Sequence, residues 1–269
     1  MTNSNLTLFD GNGWRLPKDT YQTFSDNPKW FFKLGDYSKS HKDHLSLIEE
    51  FTGIPRKNDA LIALEEILDD LKSKKNLENL INGPKVPFAI KKTNINDIGE
   101  FIENTLLKNV SKSFQNTFPD SHFKAVIQDK TSLKGRLSIT ENSGYNNFLE
   151  SLKNNDICGF YFPQALQEYS VDSQILQMQD LVKEDNLCLS GPVEVATSLI
   201  GSPNLLINFD SYSPVLCLSA VKHIDPRLIC CFKSYGLHLE FWCLSQMLTK
   251  TTKQVSEQWS GGLTLFAKY

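Results

Sequence analysis

A β-hairpin is predicted by PRLICCFKSYGLHLEFWCL, residues 226–244. Apolar residues recur in this stretch with a period of two, which is typical of strands, rather than with the period of a helix. We take Tyr235 and Gly236 as the two loop residues, since glycine suits the second position of such a turn. In this register Cys231 lies opposite Glu240. A slip of one residue would mix the two faces of the hairpin.

The two faces of the predicted hairpin differ in chemistry. One is wholly apolar and consists of Leu228, Cys230, Phe232, Leu239, Phe241 and Cys243. The other is mixed and carries Ile229, Cys231, Lys233, His238, Glu240 and Trp242. Because adjacent strand residues point to opposite sides, we expect Cys230 in the core and Cys231 at a position that tolerates serine.

The amino-acid composition is that of an ordinary globular protein. The chain has 269 residues, of which 40% are hydrophobic and 22% charged, and its net charge is -3. This length is enough to bury a core, and the charge balance provides no basic surface for nucleic acid. No apolar run is long enough to cross a bilayer. We therefore expect a partner that is neither nucleic acid nor membrane.

The cysteines and the N-terminus indicate the compartment. The N-terminal sequence MTNSNLTLFDGNGW has no basic segment followed by an apolar core, so no Sec signal is predicted. Abundant Lys and Asn with little Ala favours a bacterial source. Six cysteines lie in apolar segments: Cys158, Cys188, Cys217, Cys230, Cys231 and Cys243. Such cysteines are typical of buried free thiols, and we expect a cytoplasmic protein.

The first part of the chain is predicted to be helical. Residues 1–40 are rich in aromatic residues and turn formers, and we interpret them as an irregular arm packed on the main body. An aromatic platform for a sugar or a base is the alternative. A first helix starts at His41 and ends at Gly53, and a second is capped by Asn58 or Asp59.

A break at GPKVP, residues 83–87, divides the chain into residues 1–83 and residues 84–269, which could also form one continuous domain. Beyond the break, Asn94 is placed to cap a long amphipathic helix. The buried face of this helix is predicted to carry Ile95, Ile98, Ile102, Leu106, Val110 and Phe114.

Strands are predicted throughout the second portion. FKAVIQ (123–128) and LKGRLSIT (133–140) are two strands placed to pair with each other. Later strands are predicted in ICGFYF, LLINF, VLCLSAVK, the hairpin and LTLFA, with helices between them and a polar helix over residues 245–257. Ser260–Gly262 is predicted as a turn before the last strand. Helices followed by strands indicate an α+β fold with a mixed, mainly antiparallel sheet.

A catalytic set is predicted on the mixed face of the hairpin. Cys231 lies opposite Glu240 and diagonal to His238, so a thiol, a carboxylate and an imidazole are within reach of one another. A cysteine nucleophile needs a neighbouring base and access to solvent. A partly covered thiol beside solvated charged residues is the alternative interpretation of this face.

Two patterns have metal-binding residue types but no complete ligand set. His41 and His44 lie on one face of a helix, but no third ligand is near them in sequence. A zinc site would have to use residues among Cys217, His223, Cys230, Cys231, His238 and Cys243. Adjacent strand cysteines point to opposite faces and cannot easily bind one ion. We expect neither a metal nor another cofactor.

Another polar pattern lies between two strands. HIDPR, residues 223–227, places a histidine, an aspartate and an arginine in one connection, where functional loops often occur. A simple Asp-Pro turn is the alternative interpretation.

Two functions are open at this point. The chain has a full-size fold and no complete catalytic motif, which favours an interaction or accessory factor of the effector or immunity type, with another protein as its partner. The alternative is a thiol-dependent hydrolase or transferase that uses Cys231 with His238 and Glu240.

Overall fold

The computed structural model describes four ranges of the chain: residues 7–16, 32–181, 186–245 and 259–269. Most of the arm predicted over residues 1–40 lies outside these ranges. The polar helix predicted over residues 245–257 also lies outside them, apart from its first residue.

The fold is α+β, as predicted. Its α-helices are α1 (His41–Thr52), α2 (Lys57–Ser73), α3 (Ile98–Phe101), α4 (Leu107–Thr117), α5 (Tyr145–Asn154), α6 (Val171–Leu181) and α7 (Pro192–Gly201). Its strands are β1 (Val86–Ile90), β2 (Phe123–Ile127), β3 (Leu137–Ile139), β4 (Ile157–Gln167), β5 (Leu187–Leu189), β6 (Val215–Cys217), β7 (Val221–His223), β8 (Leu228–Tyr235), β9 (His238–Ser245) and β10 (Trp259–Lys268). Short 3₁₀ segments cover Glu78–Asn82 and Gln128–Lys130.

The sheet is mixed and mainly antiparallel. Its strand order is β1-β4-β10-β6-β8-β9-β2, and β5 pairs with β10 off this path. The parallel pairs are β10 with β6 and β2 with β9. Strands β3 and β7 form a separate two-stranded sheet.

The first two helices occur where the sequence predicts them. The Ser40 side chain caps α1 by accepting a hydrogen bond from the Asp43 amide, and Gly53 ends the helix with φ of 67°. The predicted cap of α2 is wrong, because Arg56 occupies that position with φ of 47° and makes no side-chain cap. Its guanidinium lies 3.1 Å from the Asp156 carboxylate instead.

The long amphipathic helix starts three residues later than predicted. Asp97, not Asn94, caps it by accepting from the Glu100 amide at 2.7 Å, so Ile95 precedes the helix. The rest of the predicted stripe is buried: Ile98, Ile102, Leu106, Val110 and Phe114. These residues are four positions apart, and four residues of an α-helix turn by about 40° more than one full turn, so the stripe would rotate around the helix axis. The π-helical segment between α3 and α4, Ile102–Leu106, has more residues per turn and so reduces this drift.

Several strand predictions need correction. Strand β1 was missed because it contains Pro87, which is tolerated here since β1 is at the edge of the sheet. Strand β4 continues past Pro163, where the sequence predicted its end. The predicted strand LLINF (205–209) is absent from the described structure. Strands β2 and β3 do not pair with each other, because β2 pairs with β9 and β3 with β7.

The glycine pair is part of β10 rather than a turn before it. The register of β10 against β4 shifts between Gly261 and Leu263, which is a bulge. A Cβ added to Gly262 would lie 2.2 Å from the Tyr161 ring. The glycine is therefore needed because the strand backbone passes directly over a buried tyrosine.

The central hairpin forms, but its predicted register is wrong by two residues. Tyr235 pairs with His238, so the loop consists of Gly236 and Leu237. Gly236 has φ of 58° at the first loop position, as in type II′ turns. A shift of two preserves the side on which each residue lies, and the apolar face is therefore the predicted one.

The hydrophobic core is continuous across the predicted boundary at residue 83. It includes Leu45 and Ile48 of α1 as well as Leu263 and Leu265 of β10. All ten residues of α7 are buried, and this helix packs against α1, α4 and β1. The division of the chain into two portions stays a prediction. Within the described ranges, no helix combines the length and apolarity required to cross a membrane.

Candidate functional site

The structure does not place Cys231 opposite Glu240. Cys231 pairs with Trp242 and is fully buried in a small apolar cluster with Val215, Cys217 and Trp259. Burial raises the pKa of the Cys231 thiol well above its ordinary value. The sequence predicted that this thiol would lie on a partly open face. In the structure, β6 and the start of β10 cover that face.

The other two members of the predicted set have different partners. Glu240 lies opposite Lys233 and accepts a hydrogen bond of 2.6 Å from the Trp242 indole. His238 stacks on His122 at 3.7 Å between ring centroids, and its Nδ1 accepts from the His122 amide. The register behind the predicted set is therefore corrected, while a catalytic role for Cys231, His238 and Glu240 stays a prediction.

All six cysteines are free and buried, as the sequence predicts. Cys230 and Cys243 face each other across the hairpin. A hydrogen bond from Cys230 lowers the pKa of Cys243, and the same bond raises the pKa of Cys230. The remaining thiols have pKa values raised by burial, which is the state of structural rather than nucleophilic cysteines.

The predicted histidine pair of α1 is divided between two environments. His41 lies 3.3 Å from the Glu65 carboxylate at the surface. His44 is buried, and its Nδ1 lies 3.1 Å from the Gly201 carbonyl oxygen. Burial lowers the pKa of His44. Among the residues that the structure describes, no three His, Cys, Asp or Glu side chains gather where a metal ion could bind.

A groove at the tip of the hairpin is the first candidate site. We call it the aromatic groove. It has a volume of about 560 Å³, and its walls include Asn208, Phe209, Ser211, Tyr212, Ser234 and Tyr235. Phe209, Tyr212 and Tyr235 are 78%, 73% and 71% exposed. The Ser211 hydroxyl has no hydrogen-bond partner in the described structure.

Local structure explains why these aromatic rings are exposed. Strand β8 continues past the start of β6 to the hairpin tip, where Tyr235 pairs with His238 of β9 but lies beyond the residues that pair with β6. Tyr212 is held through its backbone, because its carbonyl accepts from the Lys33 amide at 2.9 Å. The predicted strand over residues 205–209 concealed this site, because it included Phe209. The sequence pattern that indicates an exposed aromatic loop is FDSYSP, residues 209–214, in which aromatic residues alternate with turn formers.

A partly open cavity is the second candidate site. We call it the Trp259 cavity. Its volume is about 250 Å³, and its walls include Val171, Ile175, Leu218, Ser219, His223 and Trp259. His223 belongs to the HIDPR connection that the sequence singles out. The Asp225 amide donates to His223 Nδ1 at 2.9 Å, and Asp225 pairs with Arg227. This connection is thus a tight turn that also contributes to a cavity wall.

A buried polar network lies between α7 and β10. Glu194 is fully buried and accepts hydrogen bonds from the Gly191 amide, the Tyr145 hydroxyl and the Thr264 hydroxyl. Burial raises the pKa of Glu194 to about 7. The network caps the first turn of a helix that has no solvent-exposed residue.

Comparisons of this chain with protein-family models, with curated proteins and with solved structures found no match.

Proposed function

We propose that this protein is an interaction factor that binds another protein through the aromatic groove and has no catalysis of its own. One observation carries the proposal: three large aromatic side chains, each more than 70% exposed, surround a single groove. Clustered exposed apolar surface is typical of binding sites, whereas isolated exposed apolar residues are not.

The chemistry of the groove favours a protein surface as its occupant. Its walls combine Tyr and Phe rings with serine, asparagine and glycine residues and with the charged side chains of Asp210 and Lys233. Antibody paratopes use this combination, because tyrosine offers a large rigid contact area and serine or asparagine offers adaptable hydrogen bonds. The partner should present an apolar or aromatic side chain to the rings and polar backbone to the hydroxyls.

The contribution of each ring should be large. Aromatic residues at the centre of an interface often cost about 2 kcal/mol or more when truncated to alanine. Because Phe209, Tyr212 and Tyr235 are mostly exposed, their replacement should not disturb the core. Loss of binding in such variants can then be assigned to the contact surface itself.

The source of the protein, its compartment and its class are part of the same proposal. We infer a bacterial, cytoplasmic protein of the effector or immunity type that does not bind nucleic acid. Six free, buried thiols support a reducing compartment, and the net charge of -3 supports the absence of nucleic-acid binding.

Affinity capture from cells that express the protein tests the proposal. The bait is the wild-type chain, and the comparison is a triple variant with Phe209, Tyr212 and Tyr235 changed to serine. The control is Ile62→Ser, which removes an apolar side chain that is 60% exposed on α2, outside the groove.

We expect one partner protein to be retained by the wild type and by the Ile62 control and to be lost from the triple variant. Equal retention by all three baits would refute the proposal. A captured species that proves to be a second copy of this chain, a glycan or a nucleic acid would also refute it.

A further inference from the structure

We propose that the Trp259 cavity binds a small, largely apolar carboxylate. The cavity is separate from the aromatic groove, and this inference does not depend on the proposed function. It rests on the size of the cavity, on its apolar walls, on the unpartnered hydroxyl of the buried Ser219 and on Nε2 of the buried His223.

The volume limits the size of the ligand. About 250 Å³ is below the range of drug-sized pockets, which starts at about 300 Å³. At roughly 30 Å³ for each water, the space corresponds to about eight water molecules. Because covalently bonded atoms lie closer together than neighbouring waters, a ligand of about ten non-hydrogen atoms fits.

The walls define the body of the ligand. Val171 and Ile175 come from the first turns of α6, Leu218 follows β6, and Trp259 begins β10. These elements meet at one point because β6 and β10 pair in parallel, with Trp259 beside Val215. A phenyl or branched aliphatic group would replace water against these side chains, which is favourable.

His223 supplies a hydrogen-bond donor. Only 7% of this residue is exposed. Its Nδ1 accepts the Asp225 amide hydrogen, so in this arrangement the ring proton is on Nε2. In the described part of the chain, no hydrogen bond to Nε2 is present. This geometry also disfavours His223 as a general base through Nε2, since that nitrogen already holds the proton.

Ser219 supplies a second donor. The residue is 2% exposed, and its hydroxyl has no partner among the described residues. A buried hydroxyl without a partner is costly, which favours a ligand that satisfies it. Ser219 lies between β6 and β7, His223 is the last residue of β7, and both line the cavity. One oxygen-bearing group on the ligand could accept from both.

Lys222 favours a charged acceptor. It also lines the cavity, and its ion pair with Glu141 is long at 3.9 Å and exposed. Such a pair is weak. Asp172 of α6 also lines the cavity and would repel an anion placed beside it. The carboxylate is therefore expected at His223 and Ser219, with the exposed Lys222 adding positive charge to the lining, and the apolar body against Val171 and Ile175 of α6.

The test uses phenylacetate as the probe, with 2-phenylethanol and 2-phenylethylamine as matched compounds. Binding to the full chain is followed by NMR through the indole N–H signal of Trp259, assigned with a Trp259→Phe variant. We expect saturable binding of phenylacetate in the millimolar range or tighter, and at least tenfold weaker binding of the alcohol and the amine.

Ser219→Ala separates binding from folding. This variant removes an unpartnered buried hydroxyl, so it should be at least as stable as the wild type while binding phenylacetate at least fivefold more weakly. Ser198→Ala is the matched control, because Ser198 is also buried with an unpartnered hydroxyl but lies on α7, outside the cavity. It should leave binding unchanged.

Three results would overturn the inference. They are no saturable shift of the Trp259 signal with phenylacetate, equal or tighter binding of the amine, and unchanged binding in Ser219→Ala. Each of these outcomes leaves the groove-binding proposal untouched, since the variants and the readout concern a different part of the molecule.

Discussion

The Tyr145 hydroxyl donates a hydrogen bond of 2.9 Å to the Glu194 carboxylate, and both side chains are fully buried. The same hydroxyl accepts from the Val193 amide at 3.2 Å, so it links the side chain of the capping glutamate to the backbone of α7. Burial of a carboxylate without a basic partner disfavours its charge. This pair therefore makes the stability of α7 dependent on pH.

Glu194 should make the folded state less stable as the pH rises from 4.5 to 7. Burial raises the pKa of its carboxyl from the ordinary 4.5 to about 7, so between these values the folded state holds a proton that the unfolded state has released. The cost of losing that proton approaches about 3 kcal/mol above pH 7.

Glu194→Gln measures this contribution, because glutamine stays neutral at every pH. Urea unfolding of both proteins should give similar stabilities near pH 4.5 and a growing advantage for the glutamine variant towards pH 7. His44, whose pKa is lowered by burial, has the opposite pH dependence but is present in both proteins and cancels. A stability difference that does not vary with pH would contradict this account.

Ile102→Asp should cost roughly 3 kcal/mol or more, because it places an unpaired charge in the core. Ile102 is 1% exposed at the start of the π-helical segment. Asn104→Asp adds the same charge at an exposed position of the same turn and serves as the control. Thermal unfolding should show a large decrease in Tm for the first variant only. Equal Tm values would show that the stripe is not buried.

The six thiols should react with a thiol reagent only when the protein unfolds, and dithiothreitol should not change its stability. All six are buried and none forms a disulfide. The thiol-dependent alternative predicts instead that one cysteine, Cys231, reacts rapidly at neutral pH in the folded protein. Mass spectrometry after brief labelling distinguishes the two cases.

Cys231→Ser should destabilise the protein by about 1–3 kcal/mol, contrary to the tolerance expected from the sequence. The serine hydroxyl would be buried among Val215, Trp242 and Trp259 without an evident partner. Cys231→Ala is the control for lost volume without added polarity. If the serine variant is as stable as the wild type, the face is more open than its burial indicates.

The sequence predicted the faces of the hairpin but not its pairing. Alternation fixes the side on which a residue lies, and a register shift of two leaves that side unchanged. The pairing depended on which loop position Gly236 takes, and type II′ geometry prefers the first. The burial of Cys231 was not predictable, because β6 and Trp259 cover it from distant parts of the chain.

The two candidate binding sites could not be predicted from the sequence. The aromatic groove combines Phe209 and Tyr212 with Tyr235, which are far apart along the chain and meet only at the hairpin tip. His223 was identified as part of a candidate loop, but its cavity partner Ser219 carried no sequence signal. A local sequence pattern can identify a helix or a strand. A site that forms between several elements can be identified only when the positions of those elements relative to one another are known.

Binding of a partner protein by the exposed rings of the aromatic groove decides the proposed function. It is tested most directly by the Kd of the purified chain for the partner retained in affinity capture, measured for Tyr235→Ala and for Ile62→Ala. Loss of about 2 kcal/mol would raise the Kd roughly thirtyfold for Tyr235→Ala, while Ile62→Ala should match the wild type. Identical Kd values for both variants and the wild type would contradict the account.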